Sequence, residues 1–444
     1  RIKIVRNIED IRLKRLIEKQ SELHHKKSAC PRQKRESKIL NCLKRKGVVK
    51  KDDEKGMELA LWLSKVIEEE RVTVEYINSC LWDELMFGNR RLVRCYELQA
   101  IRKIKREIDW VNFLHEYNCP SMNFNRIVQT VLNYEDNVKV CAMNTDINDG
   151  VIQKISILFV FNMCIRGEVG EKKCYSFIPV TINLVDKILT MKVRNKEEAI
   201  EGSTPNEQLD DILKRLLGKL EFETKCISVD TQKTLYRMSK VLFDDFFKQL
   251  PNIAEVEAKK KTIPVLVNSL LENVTLLNQE EQNGLKTINK QVIDVEDEMY
   301  KLLQQVALYD YLKDNEIKIL LQNTDRYISR IRFSDRDNLT ASLTSETGVK
   351  CIFDAKTFMC VRNSLDLVER IVSIVVSFVS NSGKGIMSVK YDASDKRYLC
   401  IHILNNRYYS EEDFNKIWEL YREYESKDNT KTSFISIEDN VAAM

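Results

Sequence analysis

The chain has 444 residues, 43% of them apolar and 31% charged, with a formal net charge of +4. It is too long for one ordinary core and too apolar for a disordered chain. Its scarce Gly (12) and Pro (6) argue against Gly-rich loops and an all-β design.

The charge is unevenly spread. Residues 1–51 carry 18 Lys/Arg against 5 Asp/Glu, and the remainder is acidic. The twelve Cys form no CxxC pair and often sit in apolar runs such as Lys139–Met143. That pattern suits reduced, buried thiols in a cytoplasmic protein better than a disulfide framework. The most apolar stretch, Leu365–Val379, contains Asp366, Glu369 and Arg370. It falls short of the roughly 20 apolar residues of a spanning helix and reads as a buried core helix, so no membrane partner is expected. No basic stretch followed by an apolar core marks a signal peptide.

In chain order, residues 1–27 read as a basic amphipathic helix, interrupted at Cys30-Pro31. Lys34–Lys46 follows as a second basic helix with Gly47 as its carboxyl cap. Gly56–Glu70 and Val74–Phe87 are the next helices, the latter capped by Thr73. Arg90–Tyr117 is expected to be helical. The period then changes: Ile127–Leu132, Val138–Met143, Ile155–Ile165, Tyr175–Ile182 and Ile188–Val193 read as strands of an antiparallel meander. Thr204-Pro205-Asn206-Glu207 is a capping box opening a helix, and helices continue through Asp230–Leu250, Pro264–Asn278 and Asp294–Lys313. From Tyr327 the expected order is β-β-β-α-β-β-α, with a strand at Val349–Lys356 and a helix at Ser364–Ser380.

The fold class is therefore α+β and multi-domain: a basic all-helical region over 1–120, a β-meander followed by helices over 121–325, an α+β domain over 326–425 and a polar tail over 426–444.

Three constellations bear on function. The basic segment, with Arg12, Lys14, Arg15, Lys19, Lys26, Lys27, Arg32, Lys34, Arg35, Lys38, Lys44, Arg45 and Lys46, could neutralise several phosphates of DNA or RNA. Arg91, Arg94, Arg102 and Lys105, with Arg90, Lys103 and Arg106 beside them, extend that patch from the expected later helix. The stretch Ile39–Val49 resembles the helix-to-strand junction of a winged helix. His24, His25, Cys30 and Cys42 do not have the spacing of a zinc module. In the carboxyl-terminal part, Asp354-Ala-Lys356 ends an expected strand and Asp337 stands near Lys356 across a hairpin. This resembles the active-site plan of the PD-(D/E)xK nuclease superfamily. The resemblance implies a divalent metal such as Mg2+ held by Asp337 and Asp354, with Lys356 positioning the attacking water and Asp366 or Glu369 adding a carboxylate. A second such pattern, Glu223-Thr-Lys225, follows a helix and has no paired upstream strand. No GxGxxG, HExxH or GxSxG occurs, and His115 and His402 stand in apolar surroundings.

The leading expectation is a nucleic-acid-associated subunit of an intracellular complex, with no cofactor and with a protein partner or a second copy of itself. The alternatives are a metal-dependent nuclease and a scaffold whose basic segment docks an acidic partner.

Overall fold

A computed structural model describes residues 39–88, 92–132, 138–167, 170–194, 200, 204–226, 228–271, 285–288, 291–317, 321, 324–335, 339–345, 350–354, 358–378, 386–404 and 409–425. The chain divides into two compact units. Unit 1 comprises Arg1–Cys226 and Asn406–Phe414; unit 2 comprises Ile227–Asn405 and Asn415–Met444.

Unit 1 opens, within the described residues, with helix α1 (39–45). Gly47 ends it at φ 75°, a left-handed conformation that glycine adopts without strain, and the Val48 amide donates to the Leu43 carbonyl at 3.0 Å. Two helices follow, α2 (Leu59–Glu68) and α3 (Val74–Met86), and the Thr73 hydroxyl caps α3 by accepting from the Tyr76 amide. Leu43, Trp62, Leu63, Val66, Ile77 and Leu81 pack with Leu158, Val160 and Phe177 into one core.

The first departure from expectation is strand β1 (Leu92–Gln99), where the sequence pattern suggested helix. Most of its residues tolerate helix, but the strand is buried against a sheet, and tertiary pairing overrides a weak local preference. A short helix α4 (Val111–Glu116) and a two-residue strand β2 (Phe124–Asn125) follow. Residues 127–129 form a turn and not the expected strand.

The four later strands of the expected meander form, the first three longer than expected: β3 (Val138–Asn148), β4 (Val151–Gly167), β5 (Gly170–Asn183) and β6 (Ile188–Val193) pair antiparallel in succession. Strand order in unit 1 is β1-β6-β5-β4-β3-β2. Helix α5 (Pro205–Leu220) begins with the capping box, since the Thr204 hydroxyl accepts from the Glu207 amide and the Glu207 carboxylate accepts from the Thr204 amide. Strand β7 (Glu223–Thr224) adds to β1. The expected helical region and the meander thus share one unit, because β1 lies beside β6 in register Val93↔Lys192 and Cys95↔Thr190.

Unit 2 has helices α6 (Ser228–Phe247), α7 (Ile253–Lys260), α8 (Ile263–Leu271) and α9 (Val295–Asp314), with a hairpin of β8 (Leu285–Ile288) and β9 (Gln291–Asp294). Then come β10 (Arg326–Asp335), β11 (Leu339–Thr344), α10 (Phe358–Val368), β12 (Ser373–Phe378), β13 (Met387–Asp392) and β14 (Leu399–Ile403), in sheet order β11-β10-β12-β13-β14. Helix α11 (Glu411–Glu425) ends the described chain.

The expected helix at Ser364–Ser380 is split, its second half becoming β12. That strand lies between β10 and β13 and is buried along nearly its whole length. A strand covered on both faces loses the alternation that marks strands, and a short apolar run then has no distinctive period.

The expectation of reduced thiols fails at one place: Cys42 of α1 and Cys80 of α3 form a disulfide, their Cα atoms 6.3 Å apart. Adjacent packing of two helices brings distant cysteines into bonding range, which spacing along the chain does not reveal.

Glu54 holds the start of unit 1 together. It is fully buried, and its carboxylate accepts from the Lys51 amide (2.9 Å), the Trp62 indole (2.8 Å) and Arg71 (2.8 Å), with Lys65 at 3.1 Å. Burial alone would raise its pKa; the four donors outweigh that and hold it well below the usual carboxylate range. A depressed folded pKa means a contribution that is complete above the unfolded value of about 4.5 and lost as pH falls. Glu54→Gln should lower the thermal midpoint by several degrees at pH 7, and the gap from the parent should narrow below pH 4.5. Equal midpoints at pH 7 would refute this role.

Candidate nucleic-acid interface

Of the basic segment, Arg12, Lys14, Arg15, Lys19, Lys26, Lys27, Arg32, Lys34, Arg35 and Lys38 lie outside the described residues, as do His24, His25 and Cys30. Lys44, Arg45 and Lys46 are described. All three are exposed at the end of α1, while Leu43 between them and Cys42 is fully buried. The helix is therefore pinned by one face and presents its cations from the other. The pin is reinforced by the Cys42–Cys80 bond and by the Tyr76 hydroxyl, which donates to the Cys42 carbonyl at 2.9 Å. Lys46 lies over the Tyr76 ring at 5.3 Å from its centroid.

The second expected cluster does not act as one surface. Arg91 lies outside the described residues. Arg94 is buried at 3% exposure; its guanidinium donates to Asp210 at 2.7 Å and to Asn206 at 2.9 Å, both on α5. It is a packed ion pair rather than a free phosphate ligand. Arg102 is exposed and Lys105 half-buried on the turns after β1, and Lys103 pairs with Glu221.

Among the described residues no strand carries the nuclease-like constellation. Asp337 and Lys356 lie outside the described residues, and Asp354 falls in a 3-10 turn, Ile352–Asp354. Strand β11 pairs with β10, in register Thr340↔Ser334, and not with residues 350–354. Asp366 is already committed: it pairs with Lys301 and accepts from the Tyr236 hydroxyl at 2.7 Å. Glu369 is exposed after α10 at φ 50°. His115 is exposed and not packed among apolar side chains. Among the described residues no group of three or more His, Cys, Asp or Glu side chains is placed to hold a metal ion, and no helix is long and apolar enough to cross a membrane.

The charges around Asp366 line a cavity of about 190 Å³ in unit 2, between α6, α9 and α10. Lys301, 6% exposed, also pairs with Asp297 (2.7 Å) and Glu298 (3.1 Å). Burial would lower its pKa, but these carboxylates raise it above the ordinary lysine value. Arg362 donates to Gln304 at 2.8 Å and lies over the Phe247 ring. Every buried charge here has a protein partner, so the cluster reads as a clamp between helices.

Lys192 on β6 is different. It is 2% exposed, with its ammonium 3.8 Å from the centroid of Phe87 and 4.9 Å from that of Phe414. Burial pushes its pKa down to about 7, against the raising influence of Glu411. Nothing in the sequence singled it out, since a lone lysine in an apolar strand carries no spacing signal.

No family model matches the chain, and no curated protein matches it significantly.

Two outcomes follow from the buried cations. Because the folded pKa of Lys192 is depressed from 10.5 to about 7, the unfolded chain binds the extra proton between those values, so parent stability rises with pH across that window. Lys192→Met should therefore raise the thermal midpoint at pH 7, with the gain shrinking toward pH 10. Arg94→Gln should lower the midpoint while leaving affinity for polyanions unchanged; a weaker polyanion affinity with unchanged stability would place Arg94 at the surface instead.

Proposed function

We propose that the protein is a nucleic-acid-binding module that grips the phosphate backbone with its basic amino-terminal segment. The observation that carries this reading is the concentration of charge: 18 Lys/Arg against 5 Asp/Glu in residues 1–51, on an acidic remainder. The described end of the segment supports it. Lys44, Arg45 and Lys46 point away from a helix face anchored by Leu43, so the cations are presented rather than consumed in internal pairs. Fixed cations of this kind bind DNA or RNA by releasing condensed counterions, with little dependence on base sequence. The remainder, acidic in sum, adds no net attraction for the same polymer, so the long-range pull comes from the basic segment.

The test is fluorescence anisotropy with short DNA and RNA, single- and double-stranded, across a salt series, on the full chain and on a chain that lacks residues 1–38 and carries Lys44→Gln, Arg45→Gln and Lys46→Gln, which keeps Leu43, Cys42 and Lys51 in place. A segment engaging 6–10 phosphates should lose about 10³–10⁵ in duplex affinity between 50 and 200 mM salt. The truncated chain should lose duplex binding. Absence of binding by the full chain at low salt, or equal duplex affinity after truncation, would overturn the reading and turn attention to an acidic protein partner.

A further inference from the structure

Unit 1 carries an open groove of about 790 Å³, within the range of ligand pockets and larger than one nucleotide needs. Its walls come from the end of α4, from β2 and the loop after it, from the start of β3 and from α5. Two aromatic residues, Tyr117 and Phe124, line it together with three cations, Arg126, Lys139 and Arg215. The lining carboxylate, Glu116, is engaged by Lys219 at 2.9 Å, just outside the groove. Arg215 donates to Asp211 at 2.9 Å, and Lys139 to the Val131 carbonyl at 3.1 Å, so both heads are held in place. Arg126 is exposed and has no ion pair among the described residues. The Tyr117 hydroxyl is buried beside Arg215 without a hydrogen bond of ordinary geometry. Burial raises its pKa, so the phenol stays neutral and keeps its proton to donate.

The loop that carries Arg126 is preorganised. Asn78 of α3, fully buried, donates to the Asn125 carbonyl and to Gln129, both at 3.0 Å. It also accepts from the Val128 amide and, through its own carbonyl, from the Asn125 side chain, again at 3.0 Å. Such a buried side chain with its bonds satisfied fixes the loop more firmly than surface packing does, and the ordering cost of binding is reduced accordingly.

We infer that this groove binds single-stranded nucleic acid, its cations tracking the backbone and Phe124 offering its ring to an unstacked base, while Tyr117, packed on Phe113 and Phe159, forms the groove wall. Cations along a groove with aromatic side chains beside them are the recurring plan for single strands, whereas a duplex keeps its bases stacked on one another. The inference rests on the nucleic-acid reading above and adds a second contact, separable from the basic segment. The cavity of unit 2 is smaller, about 190 Å³, and its buried cations Lys301 and Arg362 face Asp297, Glu298 and Asp244.

The test uses the full chain, labelled oligo(dT) and a duplex of the same length. Arg126→Ala alone, the double variant with Lys139→Gln, and Phe124→Leu should each weaken oligo(dT) binding, the double variant about 10-fold or more, with a loss that shrinks as salt rises. Duplex affinity should stay within about twofold, and the Arg126→Ala thermal midpoint should match the parent because that side chain is exposed. Parent-like oligo(dT) affinity in the Arg126→Ala and double variants, or an equal loss for the duplex, would overturn the assignment. So would competition by poly-Glu as strong as that by unlabelled oligo(dT), which would give the groove to an acidic peptide. Removal of residues 1–38 with Lys44→Gln, Arg45→Gln and Lys46→Gln is read on the duplex, so failure of the basic-segment reading and failure of the groove are told apart.

Discussion

The ladder between β1 and β6 is the interaction on which unit 1 depends. It joins a strand from the basic, mostly helical beginning of the chain to the last strand of the meander, in register Leu92↔Val193 through Glu97↔Ile188. Directly opposed residues share a face, so Arg94 and Met191 point one way and Val93 and Lys192 the other. Each face thereby receives one buried cation, and the two are accommodated by opposite means. Arg94 keeps its charge and finds Asp210 and Asn206 on α5. Lys192, between Phe87 and Phe414, has its pKa lowered to about 7. Guanidinium cannot shed its proton in a protein, whereas an ammonium can, and the two sites divide along that line.

The same contrast governs which basic residues can reach a ligand. Counting Lys and Arg along the sequence treats Arg94 and Lys44 alike, yet one lies under a helix and the other stands in solvent. Burial separates them, and burial follows from the strand that β1 becomes. Arg126, by contrast, owes its position to a neighbour that is neither charged nor near in sequence: Asn78, whose bonds shape the turn beneath it.

Much of the fold was legible wherever the local signal and the tertiary environment agree. The Thr204–Glu207 capping box, the Thr73 cap, the Gly47 stop and the turn over 184–187 between β5 and β6 form as their residue types demand. Two of the misreadings share one cause. Leu92–Gln99 and Ser373–Phe378 are strands covered by neighbours, and a covered strand has no polar face to betray its period of two. Val349–Lys356 was read as a strand beside β11, and its described part, 350–354, ends in a 3-10 turn while β10 pairs with β12. The groove in unit 1 was not legible at all. Its residues come from 116–140 and from 215, and the turn at 127–129, itself misread as strand, supplies part of its wall.

Unit 1 is not contiguous in the chain: its last piece, Asn406–Phe414, follows nearly all of unit 2. That piece supplies buried Tyr409 against Phe87, Glu411 paired with Lys154 at 2.7 Å, and Phe414 over Lys192. Synthesis therefore completes unit 1 about 190 residues after Cys226 is made, roughly 10–40 s later at 5–20 residues per second. Through that interval Phe87 and Lys192 lack two of their aromatic neighbours, and the nascent first unit presents an uncovered apolar face. The ribosome-bound chain thus has a window in which chaperone capture competes with folding, and it closes only when the final helix emerges.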